Sequence, residues 1–320
     1  MPSQLTDYRK ISLALIATVF NEKNNIKTLL NSYQQQSVLA KEFIIVDAES
    51  TDGTNLIIAE FAQKNPHLNI RLFRKKSNRS QARNFAAKQT QADYLAFTDA
   101  GCRLDQFWLE ELLKKLLESK ARVVGGYFRG VAHSRFEEAI VPYFLQLTKN
   151  VHEKNFIPTT RSLLIEKKLW QELGGLNEKL TLSEDYQLML RIKQRKWKIA
   201  FAPKAVLEWE PPHNLRDFIK KIAAFAKSDI EAGIIRPKVL LIFARYFCFL
   251  ILCLYLNIFY FVALFALYLV WSIAKNQHNC PKAWYLLPFI QVITDLVIMT
   301  STVSALPNFS LKADRRLLNF

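Results

Sequence analysis

Apolar residues change their period from segment to segment along the first hundred positions. In "ISLALIATVF" (11–20) and "EFIIVD" (42–47) they run almost unbroken, the pattern of a strand covered on both faces. Between these runs, "KNNIKTLLNSYQQQS" places Ile26, Leu29, Leu30 and Tyr33 on one helical face. A helix opening near Gly53, a third strand "NIRLF", a helix from Arg79 to Gln91 and a fourth strand "DYLAFTD" follow. This alternation predicts an α/β fold, a mostly parallel sheet with helices on both faces. Ligands of such sheets sit beyond the carboxyl ends of the strands. "VFNE", "VDAEST" and "TDAG" occupy those ends on three strands, so one shared site is expected there.

Beyond this, "QFWLEELLKKLLE" predicts a helix capped by Asp105, and "RVVGGYF" a strand. Phe136 to Lys149 predicts a helix, "PTTRSLLI" a strand and "LGGLNEKL" a turn. "SEDYQLMLRIKQ" is a helix with Ser183 as its N-cap, and "KIAFAPKAVLEW" a pair of strands. "LRDFIKKIAAFAKSDIEAG" predicts an amphipathic helix with lysines on its polar face. From Val239 to Ala274 the single charge is Arg245. About 20 apolar residues cross a bilayer, so this run is membrane helix, long enough for a hairpin turning about Asn257. Trp284 to Leu306 is apolar with a polar stripe of Gln291, Thr294, Asp295 and Ser301. It is expected to span with that stripe against the first helix, the alternative being an interfacial helix. The expected organisation is a domain over 1–238, closed by a basic interface helix at 214–238. A membrane region of two or three helices over 239–307 and a basic tail at 308–320 complete it.

Of the net charge of +16, +12 falls in residues 1–238, which favours anionic lipid headgroups or nucleotides; no motif points to nucleic acid. Arg236, Lys238 and Arg245 precede or open the membrane region and Lys312, Arg315 and Arg316 follow it, against Lys275 and Lys282 in the link. The positive-inside tendency then puts both termini in the cytoplasm. "MPSQLTDYRK" is too polar for a signal peptide, so the large domain is expected to be cytoplasmic. Cys102, Cys248, Cys253 and Cys280 form neither a disulfide framework nor a metal-ligand spacing, which suits a reducing compartment. The default location is a bacterial inner membrane, crossed more than once.

Four segments carry a resemblance: "TVFNEKNNIKTLLNSYQQQS", "FIIVDAESTDGT", "RSQARNFAAKQTQADYLAFTDAG" and "LWQELGGLNEKLTLSEDYQLMLRI". In this order and spacing, over about residues 11–230, they resemble the inverting family 2 glycosyltransferases of the GT-A fold. The resemblance implies a nucleotide-sugar donor. It implies that Asp47 contacts the base, with Glu22 near base and ribose, although Ala48 and Glu49 stand where the family often has Asp and Gly. Arg83 suits the diphosphate, since a guanidinium forks onto phosphate oxygens. The family's Asp-x-Asp, which holds Mg2+ or Mn2+, stands here as Asp99-Ala100-Gly101, a recurring variant. Asp99 with diphosphate oxygens and water would complete such a site, because these cations need one or two carboxylates. His213 is a candidate further metal ligand. Asp185 matches the family's catalytic base, which takes the acceptor hydroxyl's proton, and Glu184 would orient it or the acceptor.

The processive members' Gln-x-x-Arg-Trp motif is missing after the last strand, and "QRKW" at Gln194 to Trp197 has another spacing. The expected reaction is therefore non-processive. One sugar moves from a UDP- or GDP-sugar to a lipid-linked or other membrane-associated acceptor, in cell-envelope glycan synthesis. Lys220, Lys221 and Lys227 are expected to meet membrane lipid headgroups. The alternative is a catalytically silent, membrane-anchored sugar-nucleotide-binding scaffold, against which Asp47, Asp99 and Asp185 all stand.

Overall fold

The computed structural model describes residues 10–145, 151, 153, 156–255 and 258–309. The polar N-terminus, the proposed turn at Asn257 and the basic tail from Ser310 lie outside the described residues, as does Lys149; the helix expected from Phe136 to Lys149 already ends at Phe144, with Leu145 extended. The chain divides into two compact units, one of residues 1–130 and 147–210, the other of 131–146 and 211–320.

In chain order the first unit begins with β1 (Leu13–Val19), α1 (Ile26–Gln34), β2 (Glu42–Asp47), α2 (Thr54–Lys64) and β3 (Ile70–Arg74). It continues with α3 (Arg79–Lys88), β4 (Tyr94–Asp99), β5 (Cys102–Leu104), α4 (Trp108–Ser119) and β6 (Val123–Gly130). α5 (Arg135–Phe144) belongs to the second unit. β7 (Leu163–Glu166), α6 (Lys167–Glu172), α7 (Glu184–Gln194) and β8 (Ile199–Trp209) complete the first. The strands form one sheet in the order β3-β2-β1-β4-β7-β6-β8-β5. β3, β2, β1 and β4 run parallel, and β7 pairs antiparallel with both β4 and β6. β8 lies parallel to β6, and β5 is antiparallel to β8. This mixed sheet has the GT-A arrangement expected from the sequence.

The apolar runs account for the core. Ile16, Ile44, Leu95 and Phe97 are fully buried, and Phe97 stacks on Trp170 with ring centres 4.7 Å apart. Ala82, Ala86 and Ala87 let α3 lie close on the sheet. Each large apolar side chain removed from water contributes about 1.5–3 kcal/mol. Ile26, Leu29, Leu30 and Tyr33 form the buried face of α1, as their spacing predicts.

Several local expectations need correction. "KIAFAPKAVLEW" is one continuous strand, β8; a register shift opposite Gly125 and Tyr127 absorbs the irregularity read as a break. Asp105 does not cap α4: its Oδ1 accepts from Phe107 N at 3.0 Å, in the turn ahead of the helix. Ser183 precedes α7 in a left-handed conformation, φ 59°, and its side chain makes no cap hydrogen bond. β5 and α6 were not expected, being too short to leave a period in the sequence.

Two glycines in β6 bring the segment before β7 close to the sheet. A Cβ at Gly125 would lie 2.4 Å from Pro158 Cβ, and one at Gly126 would lie 2.3 Å from Ser162 Oγ. Trp108 Nε1 donates to the same Ser162 Oγ at 2.8 Å. Thr160 and Arg161 are thereby held in place.

The second unit contains α5 with α8 (Leu215–Glu231), α9 (Pro237–Tyr255), α10 (Ile258–Asn276) and α11 (Leu287–Ala305). α8 is amphipathic: Phe218, Ile222, Ala226 and Ile230 are buried at four-residue spacing, while Arg216, Lys220 and Lys227 are exposed. Among the described residues, Pro237–Tyr255, Ile258–Asn279 and Trp284–Ala305 are long and apolar enough to cross a membrane. The polar stripe of α11 is buried against its neighbours. Asp295 accepts from Arg245 of α9 at 2.6 Å, from Tyr268 of α10 and from Gln291 at 3.0 Å.

Candidate active site

β1 lies between β2 and β4, with Val19 opposite Asp47 and Thr18 opposite Asp99. Neighbouring strands are about 4.8 Å apart, so Asp47 and Asp99 flank β1 at roughly 10 Å on one rim of the sheet. Asn21 and Glu49 adopt left-handed conformations in the two loops at this rim. Those loops are tied together: Asn21 N donates to Ser50 Oγ, and Glu22 N to Thr54 Oγ1, both at 2.9 Å. Ser50 in turn donates to Asp47 Oδ1 from N at 3.0 Å and from Oγ at 2.5 Å. Asp47 Oδ2 is buried, makes no hydrogen bond, and faces Arg74 Nε at 3.4 Å. Glu22 Oε2 accepts from Asn25 Nδ2 at 2.9 Å.

The centre of the site is Arg83. Its side chain is 2% exposed, and it donates to Asp99 Oδ1 at 2.6 Å and to Glu184 Oε1 at 2.8 Å. Arg161 Nε donates to Asp99 Oδ2 at 3.2 Å. The Arg161 guanidinium lies over the rings of Phe128 and Trp209, 4.8 Å from each centre. Beside it, Asp185 Oδ2 accepts from Thr160 N at 3.4 Å, and Oδ1 from Tyr186 N at 2.7 Å. The structure thus joins Arg83, Asp99, Glu184 and Asp185, although Arg83 and Glu184 are 101 residues apart in sequence.

Charge is unequally distributed over these acids. Burial alone would raise the Asp99 carboxyl, but the nearby charges of Arg83, Arg161 and Arg79 outweigh it and hold it well below the usual carboxylate range. Burial, and then repulsion from Asp185, push Glu184 up to about 7. Arg83 opposes this rise without cancelling it, because its one charge is shared with Asp99. The cluster therefore contains a fixed anion and a carboxyl that exchanges its proton near neutrality, beside a partly exposed carboxylate, Asp185.

α3 also holds the loop that delivers Glu184 and Asp185. Asn78 Nδ2 donates to Glu178 O at 2.7 Å and Ser80 Oγ to Leu180 O at 2.7 Å. Asn84 bonds both ways to Leu176, donating to its O at 2.8 Å and accepting from its N at 2.9 Å. Gly175 permits that approach: its φ is 68°, and a Cβ there would lie 2.3 Å from Asn84 Oδ1.

Residues 14–172 match the model of glycosyl transferase family 2, and residues 117–299 that of glycosyl transferase family group 2. The chain belongs to the family 2 glycosyltransferases. It is 24% identical over 227 residues to the glycosyltransferase AglE of Haloferax volcanii, covering 68% of this chain and 73% of AglE. In fold it is similar to the mannosyltransferase PcManGT of Pyrobaculum calidifontis, solved with GDP-Man and Mn2+. That likeness has a TM-score of 0.62 and 17% identity, and covers 92% of this chain and 87% of the other. Residues 1–349 of S. aureus TarS, solved with UDP-GlcNAc, align at a TM-score of 0.51 and 19% identity, over 69% and 67% of the two chains.

In this glycosyltransferase Arg161 escaped the sequence reading. The one available signal was a charged residue entering a buried strand, in "TTRSLLIE". Its partners Phe128 and Trp209 are remote in sequence, so these contacts leave no local pattern. His213 belongs to the second unit, where Nδ1 lies 3.0 Å from Glu137 Oε1. Among the described residues, no three His, Cys, Asp or Glu side chains are grouped as metal ligands.

Proposed function

We propose that this enzyme transfers one sugar, with inversion and without processivity, from a UDP- or GDP-sugar to a membrane-associated lipid or glycan acceptor. The observation carrying this reading is the Arg83-centred cluster of Asp99, Glu184 and Asp185, on the sheet rim that also bears Asp47. Asp47 Oδ2, buried and without a hydrogen bond, is suited to accept from a base N–H or a ribose hydroxyl, with Glu22 in the adjoining loop. Arg83 suits the donor diphosphate. Asp185 takes the proton of the acceptor hydroxyl as its oxygen bonds to the anomeric carbon. The bond from that carbon to the diphosphate breaks on the opposite face, and its electron pair leaves with the nucleoside diphosphate. Glu184 orients Asp185 or the acceptor.

A divalent cation, Mg2+ or Mn2+, fits as a one-carboxylate site. Asp99 would be its protein ligand, with diphosphate oxygens and water completing the set, and there is room beside it, since a Cβ at Gly101 would meet nothing within 4 Å. When bound, the cation would offset charge developing on the leaving diphosphate. His213 stays a candidate further ligand: Glu137 engages Nδ1, which leaves Nε2 as the nitrogen that would meet a metal.

The three apolar helices support an integral membrane enzyme. The flanking positive charge supports a catalytic domain in the cytoplasm, and three crossings would put the two termini on opposite faces, not both inside as expected. A role in cell-envelope glycan synthesis is part of this proposal. The exposed Arg216, Lys220 and Lys227 of α8 suit anionic headgroups. The test is release of UDP or GDP from a panel of sugar nucleotides, in membranes with lipid extract. Wild type should release one of them, and Asp185→Asn should lower the rate at least about 100-fold. Equal rates across the panel would overturn the assignment.

A further inference from the structure

We infer that Arg161 makes cation binding depend on the nucleotide diphosphate, so that the metal enters with the diphosphate and not before it. This rests on the donor and cation roles proposed above. Both oxygens of Asp99 are taken in the free chain, Oδ1 by Arg83 and Oδ2 by Arg161. A cation reaching Asp99 must displace at least one guanidinium N–H and lie beside two positive charges. Neither arginine is placed to withdraw. Arg83 is 2% exposed and is anchored at its other end by Glu184. Arg161 is 18% exposed, and its guanidinium lies over the rings of Phe128 and Trp209, cation–π contacts that hold it beside Asp99.

The free site is therefore electrostatically closed to a dication at Asp99: each of its oxygens already faces a fixed guanidinium, Arg79 adds positive charge nearby, and Glu184, itself bonded to Arg83, offsets them only in part. A nucleoside diphosphate reverses that balance, since its negative oxygens offset the arginines and supply ligands that this chain lacks. Arg161 is a positioning residue in this account. It sets how strongly two ligands depend on each other, and by reciprocity the cation strengthens nucleotide binding by the same factor.

The experiment uses the full chain in nanodiscs and Mn2+ alone, followed by the resonance signal of free aqueous Mn2+. Without nucleotide, wild type should bind Mn2+ no better than Asp99→Asn. Arg161→Gln should bind it about 10-fold more tightly than wild type, and Arg161→Lys should behave as wild type. With UDP or GDP present, wild type and Arg161→Gln should converge. Tight nucleotide-free binding by wild type, identical Arg161→Gln and wild-type curves, or equal tightening in the Lys and Gln variants would each overturn the inference. Should Arg161→Gln fail to fold, Phe128→Leu, which removes one ring that holds Arg161, takes its place and should tighten nucleotide-free Mn2+ binding in the same direction, unchanged binding overturning the inference. If neither UDP nor GDP binds wild type with Mn2+ present, the donor assignment fails instead, and the nucleotide-free comparisons still test the role of Arg161.

Discussion

Replacing Glu184 by glutamine should make the enzyme more stable at alkaline pH. Glu184 is buried, with a side chain 4% exposed, and its carboxyl is raised from 4.5 to about 7. A carboxyl whose folded value lies above its unfolded one holds an extra proton in the native state between the two. Stability from this residue is therefore complete below about 4.5 and is lost as pH climbs through 7. Each pH unit of such a difference corresponds to about 1.4 kcal/mol, so the ionised residue costs the fold about 3 kcal/mol at pH 8. Glutamine keeps an oxygen to accept from Arg83 Nη1 and removes both the buried charge and its repulsion with Asp185. Glu184→Gln should match wild type near pH 4.5–5 and exceed it by up to about 3 kcal/mol at pH 8. Hydrogen exchange at the amides of Ile16, Ile45 and Phe97, corrected for intrinsic rates, reads the opening free energy of the sheet. The rival expectation is that the 2.8 Å contact with Arg83 keeps Glu184 ionised. Breaking such a buried pair costs about 3–5 kcal/mol. A variant less stable than wild type at pH 8, or a difference that does not change with pH, would refute the reasoning.

Gly175→Ala forces a left-handed φ on a residue with a side chain and drives its Cβ into Asn84. It should cost about 1–3 kcal/mol in thermal unfolding and lower kcat more than donor affinity. Asp47→Ala should weaken UDP or GDP binding about 10-fold or more by calorimetry, as expected for a lost hydrogen bond to a charged group. In the membrane helices, Arg245→Met or Asp295→Leu alone leaves a buried charge without its partner and should destabilise by about 3–5 kcal/mol. The double variant should recover most of the folded yield in detergent extracts, and a double variant as poor as either single would count against the pairing.

The parallel half of the sheet was legible because its strands are covered on both faces and its helices bury one face, so each leaves a clear period. Ile26, Leu29, Leu30 and Tyr33 marked the buried face of α1 for that reason. The acids of the rim were legible from strand ends. What holds them was not: Arg83 to Glu184, Arg161 to its two rings and Asn84 to Leu176 are contacts between residues far apart in the chain, which no local spacing encodes. Ser183 shows the opposite failure. A residue type suited to capping stands in the right place, yet the loop held by Ser80 and Asn84 brings it in with a positive φ that removes the cap. The segment read as a pair of strands is one, β8, because the register shift along β6 lets it continue through Pro203.

The most direct test of the account is a structure of the full chain with a nucleoside diphosphate sugar and Mn2+. The base should lie within hydrogen-bond reach of Asp47 Oδ2, the diphosphate beside Asp99 and the arginines that hold it, and the anomeric carbon facing Asp185. A donor bound away from this rim, or one whose anomeric carbon is turned from Asp185, would contradict it.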